Sequence, residues 1–229
     1  MKKLLLLGGS KKQLIAIKKA KELGYYTILC DYLTDNPGKN YVDKFYLESI
    51  IDKEKILEIA KKEKVDGIIG YASDFAAPTV AYVANQLNLP GQPYEAVEIL
   101  CNKDQFRSFL AKNKFNCPIA KSYTEISEAI KDFENNFFKF PVIIKPVDSC
   151  GSRGVYKING INEIKNVLTY SRKNKFIVEE FIKKEGFQIA GDAFSINGKL
   201  EFVFFGDEYF NSQDSNSFVP IAASFPTKL

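Results

Sequence analysis

A lysine at the end of a strand pattern is the first residue whose position predicts chemistry. Residues 142–144 form a short apolar run without polar alternation, typical of a strand buried on both faces, and Lys145 follows directly. Burying an ammonium group costs several kcal/mol unless an anion meets it. The glycines and small residues at 148–154 offer backbone N–H groups to phosphate oxygens. These residues predict a phosphate site, with ATP as the first candidate; a strand end followed by a polar hairpin loop explains them equally well.

The residue types exclude several other chemistries. The 229 residues include no histidine, which rules out Ser-His-Asp and Cys-His nucleophile systems and His-ligated metals. The four cysteines are far apart with no CxxC pattern, so they fit neither a disulfide framework nor a zinc site. Carboxylates, lysines, tyrosines, backbone amides and Mg²⁺ remain. Phosphoryl transfer suits this set because positioning and electrostatics carry most of its catalysis.

The composition predicts a globular chain that acts in solution. Hydrophobic residues make up 45% of the sequence and charged residues 26%, and the length suffices for one or two domains. The net charge of +4 comes from scattered basic residues, which argues against a nucleic-acid partner. No apolar run approaches the roughly 20 residues that cross a bilayer, and the run at residues 4–7 is too short for a secretion signal. We therefore expect no membrane partner and a cytoplasmic location.

The first part of the chain alternates strand and helix patterns. Strands are predicted at residues 4–7, 27–30, 44–47 and 67–70, and helices at 11–23, 52–62 and, capped by Asp74, 74–87. This alternation predicts a parallel α/β layer, whose ligands lie beyond the carboxyl ends of the strands. Residues 8–10, Asp31 and residues 71–74 should then share one rim.

The turn after the first strand permits a competing prediction. Asp31 at the end of the second strand would suit a dehydrogenase that binds NAD(P). Gly8-Gly9-Ser10 lacks the third glycine of the dinucleotide motif, which lets helix and strand pack closely. We rank this NAD(P) alternative well below the phosphate site.

The second part of the chain predicts more strands with fewer helices between them. Helices are expected at residues 94–100, 103–112 (opened by Asn102), 124–135 (capped by Thr124) and 162–171, and strands at 121–123, 142–144, 155–158 and 176–180.

The last strands are predicted from a turn signal. Asn197-Gly198 separates strand patterns at 191–196 and 200–205, which indicates a hairpin. No period is visible from Gly206 onward. The acidic residues Asp207, Glu208 and Asp214 are therefore expected in a turn-like tail.

Three stretches, taken in order, resemble the ATP-grasp superfamily, specifically its carboxylate–amine ligase branch with the carbamoyl-phosphate-synthase-like proteins. They are Asn102-Lys103-Asp104, Ile143-Ile144-Lys145-Pro146 and Val178-Glu179-Glu180-Phe181-Ile182. The resemblance covers most of the chain. It implies an α/β fold: a Rossmann-like pre-ATP-grasp parallel sheet layer followed by an α+β ATP-grasp domain that is incomplete at its C-terminal end.

The resemblance also implies a domain organisation. Residues 1–92 would form the pre-ATP-grasp domain and residues 93–229 the ATP-grasp domain. The second domain would comprise linker helices at 93–117, a small lid subdomain at about 118–180 and the start of the large subdomain at 181–229.

Matching residues inherit expected roles from this resemblance. Lys103 and Lys145 correspond to the lysines that contact nucleotide phosphates, and Glu179 to the carboxylate that faces the adenine amino group. Gln188 stands where the family commonly places a glutamate for the ribose hydroxyls, with Glu185 as the alternative if the loop shifts. The remaining ATP contacts are the flap residues Asp148, Ser149, Gly151, Ser152 and Gly154 and the hinge residues Glu180, Phe181 and Ile182.

Three further residues have two possible roles. Arg153 is the candidate catalytic residue, meeting phosphate or a substrate carboxylate, or else an ordinary surface residue. Ser73 and Asp74 match the family's "SD…P" helix with Pro78 and are candidate substrate contacts, although a helix cap explains them as well.

The implied reaction is ATP-dependent ligation. ATP phosphorylates a carboxylate, and an amine or ammonia attacks the acylphosphate, with Mg²⁺ bridging the phosphates. The family's metal-binding residues come later than Leu229, so we expect a fragment, a natural truncation or half of a split enzyme that is inactive alone. The expected partners are a small-molecule carboxylate and amine, and a homodimer or a C-terminal partner segment stays open. The alternative is a non-catalytic ATP- or ADP-binding or interaction module.

Overall fold

The chain forms two compact units. The computed structural model describes residues 1–168, 175–211 and 218–228. The units are Met1–Phe109 and Leu110–Leu229, and the division between them falls within helix α5 (Lys103–Lys112). The domain boundary expected at residues 92/93 stays a prediction.

The first unit is built on a four-stranded parallel sheet in the order β3-β2-β1-β4. Its strands are β1 (Lys3–Leu7), β2 (Tyr26–Asp31), β3 (Lys44–Leu47) and β4 (Gly67–Ile69), and its helices α1 (Leu14–Glu22), α2 (Lys53–Glu63), α3 (Ala77–Gln86) and α4 (Tyr94–Cys101). The predicted α/β layer is confirmed.

The central strand of this sheet is buried on both faces. Leu5 and Leu7 pack in one cluster with Ile56 of α2, while Leu6 packs in another with Ile17 of α1. Each fully buried side chain of this size contributes about 1.5–3 kcal/mol by leaving water. The helices on the two faces therefore fix the strand ends that form the rim.

A cap that the sequence did not predict precedes α2, and the predicted cap at Asp74 is wrong. Asp52 precedes α2 and accepts a hydrogen bond from the Lys55 backbone N–H at 3.1 Å. Asp74 does not cap α3, because that helix starts three residues later, with Ala76 at the capping position and no side-chain cap. Pro78 occupies the first turn, where its missing N–H costs no intrahelical bond.

The second unit begins with a four-stranded antiparallel sheet in the order β5-β8-β6-β7. Its strands are β5 (Ala120–Tyr123), β6 (Val142–Pro146), β7 (Tyr156–Ile158) and β8 (Phe176–Glu180), and its described helices are α6 (Ile126–Glu134) and α7 (Ile161–Leu168). Thr124 does not cap α6, because Glu125 takes that position and makes no side-chain cap. The end predicted for α7, residues 169–171, lies outside the described residues.

A three-stranded antiparallel sheet in the order β11-β10-β9 follows. It consists of β9 (Gln188–Ile196), β10 (Lys199–Phe210) and β11 (Pro220–Ser224). Asn197 and Gly198 join β9 to β10 with φ angles of 51° and 78°, the left-handed values of a tight hairpin turn, so the predicted hairpin is confirmed.

The turn-like tail predicted after Gly206 is wrong for two of its acidic residues. Asp207 and Glu208 lie within β10, because this strand continues to Phe210. Asp214 lies outside the described residues. Strand pairing with β9 and β11 holds the segment extended although its sequence shows no clean alternation.

A carboxylate beside β2 ties this strand to α1. Asp43 accepts hydrogen bonds from Lys21 Nζ at 2.5 Å, Thr27 N at 2.7 Å and Thr27 Oγ1 at 2.8 Å. Burial acts to raise the pKa of Asp43, but the hydrogen bonds from Lys21 and Thr27 outweigh it and lower this pKa to about 2.

We predict that the first unit loses stability as the pH falls from about 4 to about 2. The ordinary pKa of the carboxyl is 3.8. Below that pH Asp43 is protonated in the unfolded chain but still ionised in the folded chain, so protonation favours unfolding. The contribution is complete above pH 4 and disappears as the pH passes about 2. Thermal unfolding between about pH 2 and pH 6 measures the loss.

Two variants identify the residue responsible. Asp43→Asn should flatten this part of the profile. Glu22→Gln removes the exposed Lys19–Glu22 pair and should leave the profile unchanged, because exposed pairs contribute little. A wild-type pH profile in Asp43→Asn would contradict the assignment.

Candidate functional site

Lys145 of β6 and Glu179 of β8 form a buried ion pair. Lys145 Nζ lies 2.6 Å from Glu179 Oε2, and the two side chains are 16% and 5% exposed. The strands are antiparallel neighbours in which Ile143 lies opposite Glu179 and Lys145 opposite Ile177. The charged residues are therefore diagonal neighbours on one face of the sheet, within reach of long side chains.

This pair explains how a lysine can stand at the end of a buried strand. The sequence predicts an anion beside Lys145, and inside the protein that anion is Glu179. An ammonium group has three donors, so Lys145 can bond Glu179 and still donate to an oxygen of a ligand. The arrangement keeps a cation at the strand end without leaving an isolated buried charge.

The ion pair lies on the face of the sheet opposite its helix-covered core. Val142, Ile144 and Val178 form the core with residues of the covering helices, such as Phe133. The alternate residues point the other way. The sequence predicts that residues 142–144 are buried on both faces of the sheet. Val142 and Ile144 are buried in the core, whereas Ile143 on the other face is half-buried, so the prediction is only partly correct.

A second lysine shares this face, and sequence reasoning missed it. Lys157 of β7 pairs with Ile143 in register. Its Nζ lies 4.2 Å from the centroid of the Phe181 ring, a cation–π contact with the predicted hinge. Its position between Tyr156 and Ile158 in a short alternating strand was the available signal.

The loop after β6 has the backbone that its small residues predict. Gly151, Ser152 and Gly154 have φ angles of 64°, 57° and 70°, a region that glycine enters without steric cost. Ser149 Oγ donates to Arg153 O at 2.9 Å. Asp148 and Arg153 are exposed. Turns of this kind present backbone N–H groups at their surface, as an anion requires.

Side-chain contacts within the second unit also hold this loop. Ser152 Oγ donates to the Phe218 carbonyl at 2.9 Å. The predicted flap therefore has a defined conformation with an anchor at Ser152.

The predicted hinge after β8 is fixed through its backbone. The N–H of Glu180 donates to Ile119 O at 2.8 Å, and the Glu180 carboxylate accepts from Ile119 N at 3.3 Å. Phe181 N donates to Pro141 O at 3.3 Å, and Ile182 is 60% exposed. These bonds tie the segment to its neighbours, and its contacts with adenine stay a prediction.

Gln188 begins β9 and lies directly opposite Glu208 of β10. Gln188 Nε2 donates to Glu208 Oε2 at 2.9 Å. Glu185, the alternative to Gln188, is exposed in the segment before β9. The structure thus adds Glu208 to the candidate site, where the sequence placed it in a tail.

In the first unit the predicted rim is present, but side chains of the same unit occupy the space around the loop at residues 8–10. Gly9 N donates to Asp31 Oδ2 at 2.7 Å, and Gln13 Nε2 donates to Tyr71 O at 3.2 Å. A side chain on Gly8 would collide with Gln13, and one on Gly9 with Asn36. These glycines serve internal packing, and Asp31 is used by the loop itself, which weakens the NAD(P) alternative.

The other predicted residues of the first unit lie near helix starts. Ser73 is half-buried and Asp74 exposed, and the Ser73 carbonyl accepts from Ala76 N at 3.2 Å. Lys103 begins α5 and is half-buried. The Asn102 carbonyl accepts from the first turn of that helix, but Asn102 Oδ1 is buried without a hydrogen-bond partner among the described residues, so its side chain does not cap α5.

Two negative findings apply to the residues that the structure describes. They contain no group of three or more His, Cys, Asp or Glu side chains placed to hold a metal ion. Within the same residues no helix is long and apolar enough to span a membrane.

Comparison with known proteins finds similarity along most of the chain. A family model described as "ATP-grasp domain" matches residues 100–219. Formate-dependent phosphoribosylglycinamide formyltransferase of Prochlorococcus marinus (strain NATL2A) is 27% identical over 188 residues, which are 79% of this chain and 48% of that protein. Carbamoyl phosphate synthase large chain of Clostridium botulinum (strain Langeland / NCTC 10281 / Type F) is 24% identical over 187 residues, 78% of this chain and 17% of that protein.

A solved structure extends the similarity to the whole fold. N5-carboxyaminoimidazole synthetase from Staphylococcus aureus, complexed with ADP, has a TM-score of 0.79 at 16% identity and covers 100% of this chain and 60% of its own. At this identity the match shows the fold alone. The chain spans about half the length of the formyltransferase that it matches.

We predict that Lys145 and Glu179 stabilise the second unit only as a pair. Lys145→Met or Glu179→Gln alone should lower the free energy of unfolding by about 3–5 kcal/mol, because each breaks a buried ion pair by removing one of its two charges. The double variant should recover most of this loss. Urea unfolding of the four proteins measures the coupling.

The matched control is Lys199→Met. It removes the exposed pair between Lys199 and Glu201 (3.1 Å) and should cost less than about 1 kcal/mol. Additive losses in the Lys145/Glu179 double variant would show that the two residues do not act together.

Proposed function

Because this chain belongs to the ATP-grasp family, we propose that it is the nucleotide-binding part of an ATP-dependent carboxylate–amine ligase. In such a ligase ATP phosphorylates a carboxylate, and an amine or ammonia displaces the phosphate from the acylphosphate to form the new C–N bond. The match to carbamoyl phosphate synthase and to a formate-dependent formyltransferase supports this class. The substrates of this chain are a small-molecule carboxylate and amine.

The observation that carries the proposal is the ion pair at the ends of β6 and β8. Lys145, bonded to Glu179 at 2.6 Å, stands directly before the glycine-containing loop 148–154. Phosphoryl transfer needs donors fixed in advance around the phosphates, and loss of one such donor costs about 3–4 kcal/mol of transition-state stabilisation. A partly buried lysine followed by loop amides meets that need.

We assign the remaining contacts of the nucleotide as follows. Lys145 and Lys103 contact phosphates, the loop at 148–154 covers them, and Arg153 meets phosphate or the substrate carboxylate. Residues 179–182 hold adenine and Gln188 lies at the ribose. The solved similar structure that contains ADP supports a nucleotide ligand. Ser73 and Asp74 are proposed substrate contacts.

Lys157 is an additional member of this site in our proposal. It shares the sheet face of Lys145 and holds the Phe181 ring, so it links the phosphate side to the hinge. Its charge also favours a polyphosphate on this face.

The proposed domain organisation follows the family. Residues 1–92 are the pre-ATP-grasp domain, and residues 93–229 belong to the ATP-grasp domain. The described residues do not form an Mg²⁺ site, so we assign no ligand and no step to the metal. A cytoplasmic location suits ATP as a substrate and cysteines of which none forms a disulfide.

We predict that ATP stabilises the 229-residue chain and NADH does not. At about 100 times its Kd, ATP should add about 2.7 kcal/mol to the free energy of unfolding. The Lys145→Met/Glu179→Gln double variant should lose most of the thermal shift, because it lacks the phosphate contact that we assign to Lys145, while Lys199→Met should keep it. Stabilisation by NADH but not by ATP or ADP would overturn the family function in favour of a dinucleotide site.

A turnover assay separates ligase chemistry from mere nucleotide binding. With Mg²⁺ and a panel of carboxylates and amines, we expect no ADP release from the 229 residues alone. Robust release would contradict that expectation. A longer protein containing this sequence should release ADP only with its carboxylate and amine, and binding of ATP without turnover there would favour a non-catalytic module.

A further inference from the structure

The Gln188–Glu208 pair presents a carboxylate that the sequence pattern does not assign. The two residues face each other across β9 and β10, and their side chains are joined by a hydrogen bond of 2.9 Å. Glu208 is half-buried and Gln188 exposed. The pair therefore offers an amide and a carboxylate side by side on one face of the sheet.

The chemistry of the pair complements that of a diol. An ionised carboxylate only accepts hydrogen bonds, and two neighbouring hydroxyls can both donate to it. Gln188 alone lacks this charged acceptor. By donating its N–H to Glu208, the Gln188 amide holds the carboxylate in place at the position that the resemblance gives to the ribose.

The other carboxylates of β10 are already engaged elsewhere. Asp207 points to the opposite face, is 1% exposed, and accepts hydrogen bonds from Thr227 Oγ1 at 2.6 Å and Lys228 N at 3.2 Å. Glu201 pairs with Lys199 at 3.1 Å. Each has a structural partner on its own part of the sheet.

One carboxylate of β9 shares the face of Glu208 but lies far from Gln188. Asp192 is opposite Phe204, four cross-strand pairs away from Gln188 and Glu208. Four residues along a strand correspond to about 13 Å. Asp192 is thus an exposed carboxylate on the same face as Gln188. It lies too far away to contact the ligand group that Gln188 and Glu208 would bind.

The residues paired around Glu208 on this face are short. Ala223 of β11 lies opposite Glu208 on its other side, and the next pair on this face is Ala190 with Gly206. The Phe225 ring lies against Gly206, and Glu208 is half-buried, so part of the Glu208 side chain remains exposed to a ligand.

We propose that Glu208 supplies the anionic acceptor for the ribose hydroxyls of the bound nucleotide, with Gln188 as its positioning partner. Glu208 thereby distinguishes ribonucleotides from nucleotides that lack these hydroxyls. The inference rests on the proposed function, since it requires ATP to bind this chain.

The test compares ATP with 2′,3′-dideoxy-ATP in calorimetric titrations of the 229-residue chain. The wild type should bind ATP at least about tenfold more tightly, because one hydrogen bond to a charged group has that effect and ATP offers two hydroxyls. Glu208→Gln should weaken ATP by about tenfold and leave the dideoxy nucleotide unchanged, which also shows that the variant is folded. Asp192→Asn, the matched control, should behave like the wild type.

A swap variant adds a result that a purely structural role would not give. Gln188→Glu combined with Glu208→Gln exchanges amide and carboxylate across the pair and should restore the preference for ATP. This double variant also keeps the test decisive if Glu208→Gln alone does not fold.

Four results would overturn the inference. Glu208→Gln could keep the wild-type preference, both nucleotides could weaken equally, or the wild type could bind both equally. Loss of the preference in Glu185→Gln instead would assign the ribose to Glu185. If the wild type binds no ATP at all, the proposed function fails and this inference fails with it, whereas ATP binding with any of the four results contradicts the inference alone.

Discussion

The constraint that shapes the second unit is that Lys145 and Glu179 must be buried together. Burying the Lys145 ammonium group or the Glu179 carboxylate alone would cost several kcal/mol, and each offsets the charge of the other. The pairing fixes two adjacent strand ends relative to each other. The same pair keeps a positive charge at the start of the loop to which we assign the phosphates.

The carboxylates of the chain fall into two groups by their partners. Asp43 and Asp207 are satisfied by backbone and hydroxyl donors of their own unit, and Asp43 has a lowered pKa as a result. Glu179 and Glu208 instead each contact a side chain to which the family resemblance gives a nucleotide contact. Partners, and not exposure alone, separate the acids that hold the fold from the acids that we propose for the nucleotide site.

Much of the fold could be predicted because its signals are local. The β3 and β8 patterns match the structure, and the order of motifs around Lys103, Lys145 and Glu179 identified the family. The caps at Asp74 and Thr124 were wrong, because a helix starts where its packed face begins and not at the first suitable side chain. Lys157 was missed because β7 has only three residues, and so short an alternation does not show which face of the sheet a lone lysine shares.

The sequence by itself determined the hairpin, since Asn197-Gly198 suits the left-handed turn that joins two strands. The tertiary structure alone decided which acid faces Gln188. The register shifts between Leu200 and Phe202, and continuing the pairing of the turn without this irregularity would put Asp207 opposite Gln188. Because side chains alternate between the two faces of a strand, the extra residue in β10 places the half-buried Glu208 opposite Gln188 instead of the buried Asp207. The position of that irregularity depends on packing across the sheet, which no local pattern encodes.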